Sequence, residues 1–133
     1  MLRQLRAFAA RQIQGMPRFG WKVGINVPEV QRKMGLSHSL VGFLDGERVF
    51  ASDAAIHIPN GTRLHLEPEL CLTLARSVDA DAGVQLARAA ISLVQPAFEL
   101  VDYSKPTNGL DELAAHAMFH HGVILGDAQL LPS

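Results

Sequence analysis

The sequence is poor in several features that would have narrowed its function quickly. It has one cysteine, Cys71, among 133 residues, so no internal disulfide forms and the expected compartment is the reducing cytoplasm. No apolar run reaches the length of a membrane span. Charge of one sign is also lacking. With 12 Lys and Arg against 13 Asp and Glu, the net charge is −1, and no basic cluster offers a footprint for nucleic acid or anionic lipid. There is no internal repeat, low-complexity tract or linker. Five basic residues, Arg3, Arg6, Arg11, Arg18 and Lys22, precede the first acid, Glu29, as in an organellar presequence. That stretch lacks serine and joins the Trp21 segment smoothly, so it reads as structure. The chain is expected to form one domain over 1–133, 48% hydrophobic and long enough to bury roughly two-thirds of its unfolded surface.

The sequence centres on Leu64-His65-Leu66-Glu67-Pro68-Glu69-Leu70-Cys71-Leu72-Thr73-Leu74. At the period of a β-strand, the leucines take one face, and His65, Glu67, Glu69, Cys71 and Thr73 take the other. Residues two apart on a strand are separated by roughly 6.5 Å, which lets both carboxylates converge on one cation. Two readings stand side by side: a solvated edge strand, or a site of oxygen ligands for a hard cation.

The remaining pattern is mixed. Leu2, Leu5, Phe8, Ala9 and Ile13 predict an amphipathic helix. Trp21 to Val27 alternates as a strand that points Lys22, Gly24 and Asn26 away from the core. Pro28, Glu29, Lys33 and Gly35 bracket a short helix. Asp45-Gly46, flanked by Leu40–Leu44 and Glu47–Phe50, predicts a hairpin, and Ala55–Ile58 predicts a further strand ahead of the Pro59-Asn60-Gly61 turn. Asp79 or Asp81 caps a helix with Leu86, Ala89, Ala90 and Leu93 as its stripe. Pro96 then opens the run Ala97–Asp102, which reads as a strand buried on both faces. A helix from about Leu110 to His120 and a strand Val123–Gly126 close the pattern.

Glu99 is the one acid inside that buried run. An unpaired buried carboxylate costs several kcal/mol or takes up a proton, so Glu99 requires either a cation or a donor, Arg63 and Arg76 being candidates. Other features carry less. His116 and His120 share a helix face, with His121 adjacent, but no third zinc ligand lies in a known frame. Cys71 has acidic neighbours that disfavour a thiolate, so it reads as packing. Gly20 and Gly24 belong to a strand and not to a phosphate loop.

Taken in order, Gly20-Trp21-Lys22-Val23-Gly24-Ile25, Val41-Gly42-Phe43-Leu44, Leu66-Glu67-Pro68-Glu69-Leu70, Pro96-Ala97-Phe98-Glu99-Leu100-Val101-Asp102 and Val123-Ile124-Leu125-Gly126 resemble the fumarylacetoacetate hydrolase superfamily. The nearest branch is that of the 2-keto-4-pentenoate hydratases and related 2-oxo-acid decarboxylases. The resemblance implies an α+β fold, a mixed, bent β-sheet forming part of a β-roll with helices packed outside. It implies Glu67, Glu69 and Glu99 as ligands of Mg²⁺ or Mn²⁺, Lys22 as the catalytic lysine of the substrate pocket, and Asp102 as a further substrate-binding residue. The implied partner is a small 2-oxo acid, and the implied assembly is a homo-oligomer. A hard cation polarises the carbonyl of a 2-oxo acid and stabilises the neighbouring enolate, while Lys22 offsets the excess negative charge of three glutamates.

Two departures shape the expectation. The acid that hydratases carry two residues before the glycine matching Gly42 is Leu40 here, and the Asp-Asn before the last strand is replaced by His116-Ala117-Met118-Phe119-His120-His121. Family members also continue with further strands. By resemblance a 2-keto-4-pentenoate hydratase-like lyase of aromatic-compound degradation ranks first and a 2-oxo-acid decarboxylase second. The departures add the expectations of an exposed apolar patch or self-association, and of chemistry biased towards decarboxylation or tautomerisation over hydration. The alternative is an inactive remnant that serves as an assembly partner.

Overall fold

The computed structural model describes residues 18–104 and 107–130, together with Arg6, Ala9, Ala10, Ile13 and Gly15. The expected N-terminal helix lies mostly outside these residues, although Arg6, Ala9, Ala10 and Ile13 are helical. The fold is α+β. Strands β1 (Arg18–Gly24) and β2 (Leu40–Asp45) form an antiparallel ribbon, with Trp21 opposite Phe43 and Lys22 opposite Gly42. A second, five-stranded sheet has the order β3 (Val49–Ala51), β6 (His120–Leu125), β5 (Ile91–Asp102), β4 (Leu64–Leu74), with β7 (Gln129–Leu130) also paired to β5. This sheet is mixed, since β3 runs parallel to β6 and the other pairs are antiparallel. From Arg18 onwards, the α-helices among the described residues are α1 (Pro28–Lys33), α2 (Val84–Ala89) and α3 (Leu110–Ala115). No helix among the described residues is long and apolar enough to cross a membrane.

Several local expectations are corrected. The single sheet is two, because no hairpin forms at Asp45-Gly46. A two-residue hairpin of type I′ needs positive φ at both central residues, and Gly46 does not adopt it. Instead the Asp45 carboxylate accepts a hydrogen bond from the Glu47 backbone N–H at 3.0 Å, and a 3₁₀ turn over Gly46–Arg48 carries the chain from β2 to the other sheet. Ala55–Ile58 forms no strand. The α2 helix is shorter than its apolar stripe suggests, and Leu93 lies in β5. Eleven residues of β4 pair along β5 back to Ile91, and such a ladder outcompetes extension of a marginal two-turn helix. The Pro59-Asn60-Gly61 turn forms as expected. Gly61 has φ +86° and Thr62 N–H donates to Pro59 O at 3.2 Å.

The core lies where the ribbon, α3 and the turn after α3 meet one face of β5 and β6. Phe43, Ala97, Val101, Leu113, Ala117, Met118 and Val123 are buried there. The opposite face of β4 is open. Leu66, Leu70 and Leu72 are 60%, 70% and 51% exposed, and Phe98, facing Pro68 from β5, is 48% exposed.

Candidate metal and substrate site

Strand register places the three glutamates. Glu67 and Glu99 are direct cross-strand partners, and Glu69 pairs with Ala97. Residues opposite each other in an antiparallel pair, and those two along, share a face. Glu67, Glu69 and Glu99 therefore rise from the same side of the β4–β5 ladder. Glu99, the inner one, is only 5% exposed, because the ribbon and the turn before β6 cover it.

Two side chains meet Glu99 on one oxygen. Lys22 Nζ donates to Glu99 Oε1, and His120 Nδ1 lies 2.9 Å from the same atom. An ionised carboxylate only accepts, so Nδ1 is the donor there. His120 Nε2 is buried and has no hydrogen-bond partner among the described residues. Lys22 is not the exposed strand lysine that alternation alone allows; its side chain is 10% exposed. Neither Arg63 nor Arg76 takes the place of Lys22. Arg63 instead donates to Tyr103 O.

The outer carboxylates have different surroundings. Tyr103 O–H donates to Glu67 Oε1 at 3.0 Å, and its ring packs edge-on against His65 at 4.9 Å and Phe119 at 5.2 Å between centroids. Burial pushes the Tyr103 phenol up to about 12, helped by its bond to Glu67 and by the charges of Glu67 and Glu99. Partial burial raises the Glu69 carboxyl, and the negative charges of Glu99 and Glu67 raise it further, with Lys22 opposing. Mutual repulsion of this kind marks a concentration of negative potential that a cation relieves.

The donor set suits a hard divalent cation: three carboxylates on one face, with a shared field and no thiolate, since burial raises the Cys71 thiol. Glu67 and Glu99 turn to separate partners, and no group of three His, Cys, Asp or Glu among the described residues is gathered tightly enough to hold an ion. What the strand register supplies is the shared face of the three glutamates.

Asp102 is the last residue of β5. Its Oδ1 accepts from the backbone N–H of Ser104 at 2.8 Å and of Arg63 at 3.3 Å. The Ser104 side chain and these amides hold its carboxyl below the ordinary value. Asp102 also lines a polar cavity of about 120 Å³ with Asp45, Arg48, His116, Phe119, His120 and His121.

The paired-histidine idea fails on geometry. The helix expected to carry both His116 and His120 ends at Ala115. Ala117, Met118 and Phe119 then take φ of 48°, 54° and 64°, a left-handed turn that costs about 1–2 kcal/mol per residue. This turn sends His120 inward to Glu99 and leaves His116 half exposed, 3.9 Å from Glu112. His120 and Tyr103 are the site residues that sequence reasoning missed. Tyr103 carried a signal, being the residue just after the buried strand and the only tyrosine in the chain. His120 carried none, because its aim depends on a turn that no local motif announces.

No family model and no curated protein matches the sequence. Solved structures do match its fold. The 4-oxalocrotonate decarboxylase from Pseudomonas putida G7, complexed with magnesium and adipate, aligns with a TM-score of 0.68 at 20% identity, over 92% of this chain and 48% of that one. The same enzyme complexed with calcium and acetate aligns with a TM-score of 0.68 at 20% identity, over 92% of this chain and 47% of that one. The chain thus shares a fold with these structures and spans about half their length.

Proposed function

We propose that this chain carries the carboxylate and lysine groups of a fumarylacetoacetate hydrolase-type site and supports metal-dependent lyase chemistry on small 2-oxo acids, with decarboxylation or tautomerisation ahead of hydration. The observation that carries this reading is the cross-strand placement of Glu67 opposite Glu99, with Glu69 on the same face and Lys22 bonded to Glu99. Glu67, Glu69 and Glu99 are the residues that would hold Mg²⁺ or Mn²⁺. When bound, the ion supplies a Lewis acid for the carbonyl and carboxylate oxygens of the substrate. The protein's own groups do the rest. Tyr103 orients Glu67 and His120 orients Glu99, as hydrogen-bond partners behind metal ligands commonly do. Lys22 brings positive charge for an anionic substrate, and the ribbon keeps water from Glu99. Hydration asks for a placed proton donor, and Leu40 stands at the position from which hydratases supply one. The decarboxylase activity of the structural neighbours agrees with that ranking.

The test is a Mg²⁺ and Mn²⁺ titration followed by thermal unfolding, on the unmodified chain and on Glu67→Gln and Glu69→Gln, both of which lie near the surface. An ion at a hundred times its Kd stabilises by about 2.7 kcal/mol, and either substitution should reduce that gain. No stabilisation by either ion in the unmodified chain would favour the inactive-remnant reading. For the reaction, conversion of 2-hydroxypenta-2,4-dienoate into the 4-hydroxy-2-oxo acid would reverse the ranking. Its ketonisation, or loss of CO₂ from a vinylogous 2-oxo diacid, would support it.

A further inference from the structure

Met118 occupies a position that its backbone makes costly and its surroundings make specific. It lies in the middle of the left-handed turn, with φ 54° and ψ 50°, a conformation that an unbranched L-residue adopts only when neighbouring structure over-determines it. Its side chain is 6% exposed and fills a notch in the β1–β2 ribbon. The notch exists because Gly24 and Gly42 have no side chains. A Cβ on Gly24 would come within 2.5 Å of Met118 Sδ, and one on Gly42 within 2.9 Å of Met118 Cε.

The same notch borders Lys22. Lys22 pairs with Gly42 across the ribbon, and a Cβ on Gly42 would lie 3.1 Å from Lys22 Cγ. The Lys22 stem and the Met118 thioether therefore share the space over one glycine. Two residues later the chain presents His120 to the oxygen that Lys22 bonds. One strained turn thus carries both His120, which meets Glu99, and Met118, which lies beside the Lys22 stem over Gly42.

We propose that Met118 is the positioning residue for Lys22. Seated in the Gly24–Gly42 notch, it docks the ribbon on the five-stranded sheet and holds the lysine stem extended towards Glu99. This rests on the reading of Lys22 as the lysine of the site, but its test uses neither a metal nor turnover, so the two can fail separately.

The experiment is competitive acetylation of the native protein with limiting acetic anhydride, read by peptide mass spectrometry. Lys33, whose side chain is 74% exposed, is the internal reference. In the unmodified chain Lys22 should react roughly tenfold more slowly than Lys33, as expected for a group that must wait for local opening. Met118→Ala should remove most of that protection, and Met118→Leu, which keeps the volume, should retain it. Leu100→Ala, a buried change on the opposite face of β5, controls for general destabilisation and should leave Lys22 protected. Should Met118→Ala not fold, Gly42→Ala disturbs the wedge from the other side and should also expose Lys22. Denaturation of Gly42→Ala with and without Met118→Ala completes the test, with a smaller cost expected when the methionine is already truncated. Lys22 remaining protected in Met118→Ala, or in Gly42→Ala where only that variant folds, would overturn the proposal, as would equal costs of Gly42→Ala in both backgrounds.

Discussion

Glu67 and Glu99 stand directly opposite each other across β4 and β5, yet they turn to different partners, Glu67 to Tyr103 and Glu99 to Lys22 and His120. The face that gathers negative charge is thereby divided into an outer part open to solvent and an inner part neutralised by a buried ammonium. The division predicts unequal costs of substitution. Removing one partner of a buried ionic group costs about 3–5 kcal/mol, so Glu99→Ala should lower stability by roughly that much. Loss of the half-buried Glu67 bond in Glu67→Ala should cost about 1 kcal/mol. Urea denaturation followed by Trp21 fluorescence measures both, and equal losses would show that Glu99 is not held as described.

Tyr103 is the only tyrosine in the chain, so phenolate absorbance reports it alone. Its midpoint in the folded protein should fall at about 12, against an ordinary value near 10. A group whose folded pKa is raised contributes stability that is fully present below its unfolded value and is lost as pH rises through the folded one. Stability should therefore decline as pH climbs from about 10 towards about 12. Glu67→Gln should bring the midpoint part of the way down, because burial, the largest cause, remains. A native midpoint near 10 would contradict the arrangement.

Gly122 tests the close approach of β3 and its preceding turn to β6. A Cβ there would meet Phe50 Cε2 at 2.7 Å and the Arg48 carbonyl oxygen at 3.0 Å. Backbone cannot yield as a flexible side chain does, so Gly122→Ala should destabilise by about 1–3 kcal/mol. Gly83→Ala, with nothing within 4 Å, should stay within about 0.5 kcal/mol. Thermal unfolding of the two variants distinguishes the sites.

We propose that copies of the chain associate through Leu66, Leu70, Leu72 and Phe98, which lie exposed on one face of β4 and β5. Large exposed apolar patches mark sites of association. Sedimentation velocity should show mass rising with concentration, and Leu70→Lys with Leu72→Glu should shift the chain towards monomer. A monomer at all concentrations before substitution would sink this proposal.

Side-chain alternation and desolvation were enough to read the long β4 strand with its acidic face, and Glu99 as a buried acid needing a partner. These come from periodicity and desolvation, which are local properties. Pairing partners were not legible in the same way. The Asp45-Gly46 dipeptide suggested a hairpin, but the Asp45 carboxylate bonds forward to Glu47 and the strands part to different sheets. Leu93 matched a helical stripe and was drawn into β5 by the reach of β4.

By itself the sequence determined which residues carry charge and which face of each strand they occupy, since a period of two comes from backbone geometry alone. Only the tertiary structure decided that Lys22, and neither Arg63 nor Arg76, reaches Glu99, and that His120 leaves the company of His116 to join it. The reason is physical. Both contacts join residues far apart in the sequence. On the proposal above they depend on the seating of Met118 between two glycines of the paired strands β1 and β2, because a left-handed turn of three side-chain-bearing residues is costly without tertiary contacts to hold it.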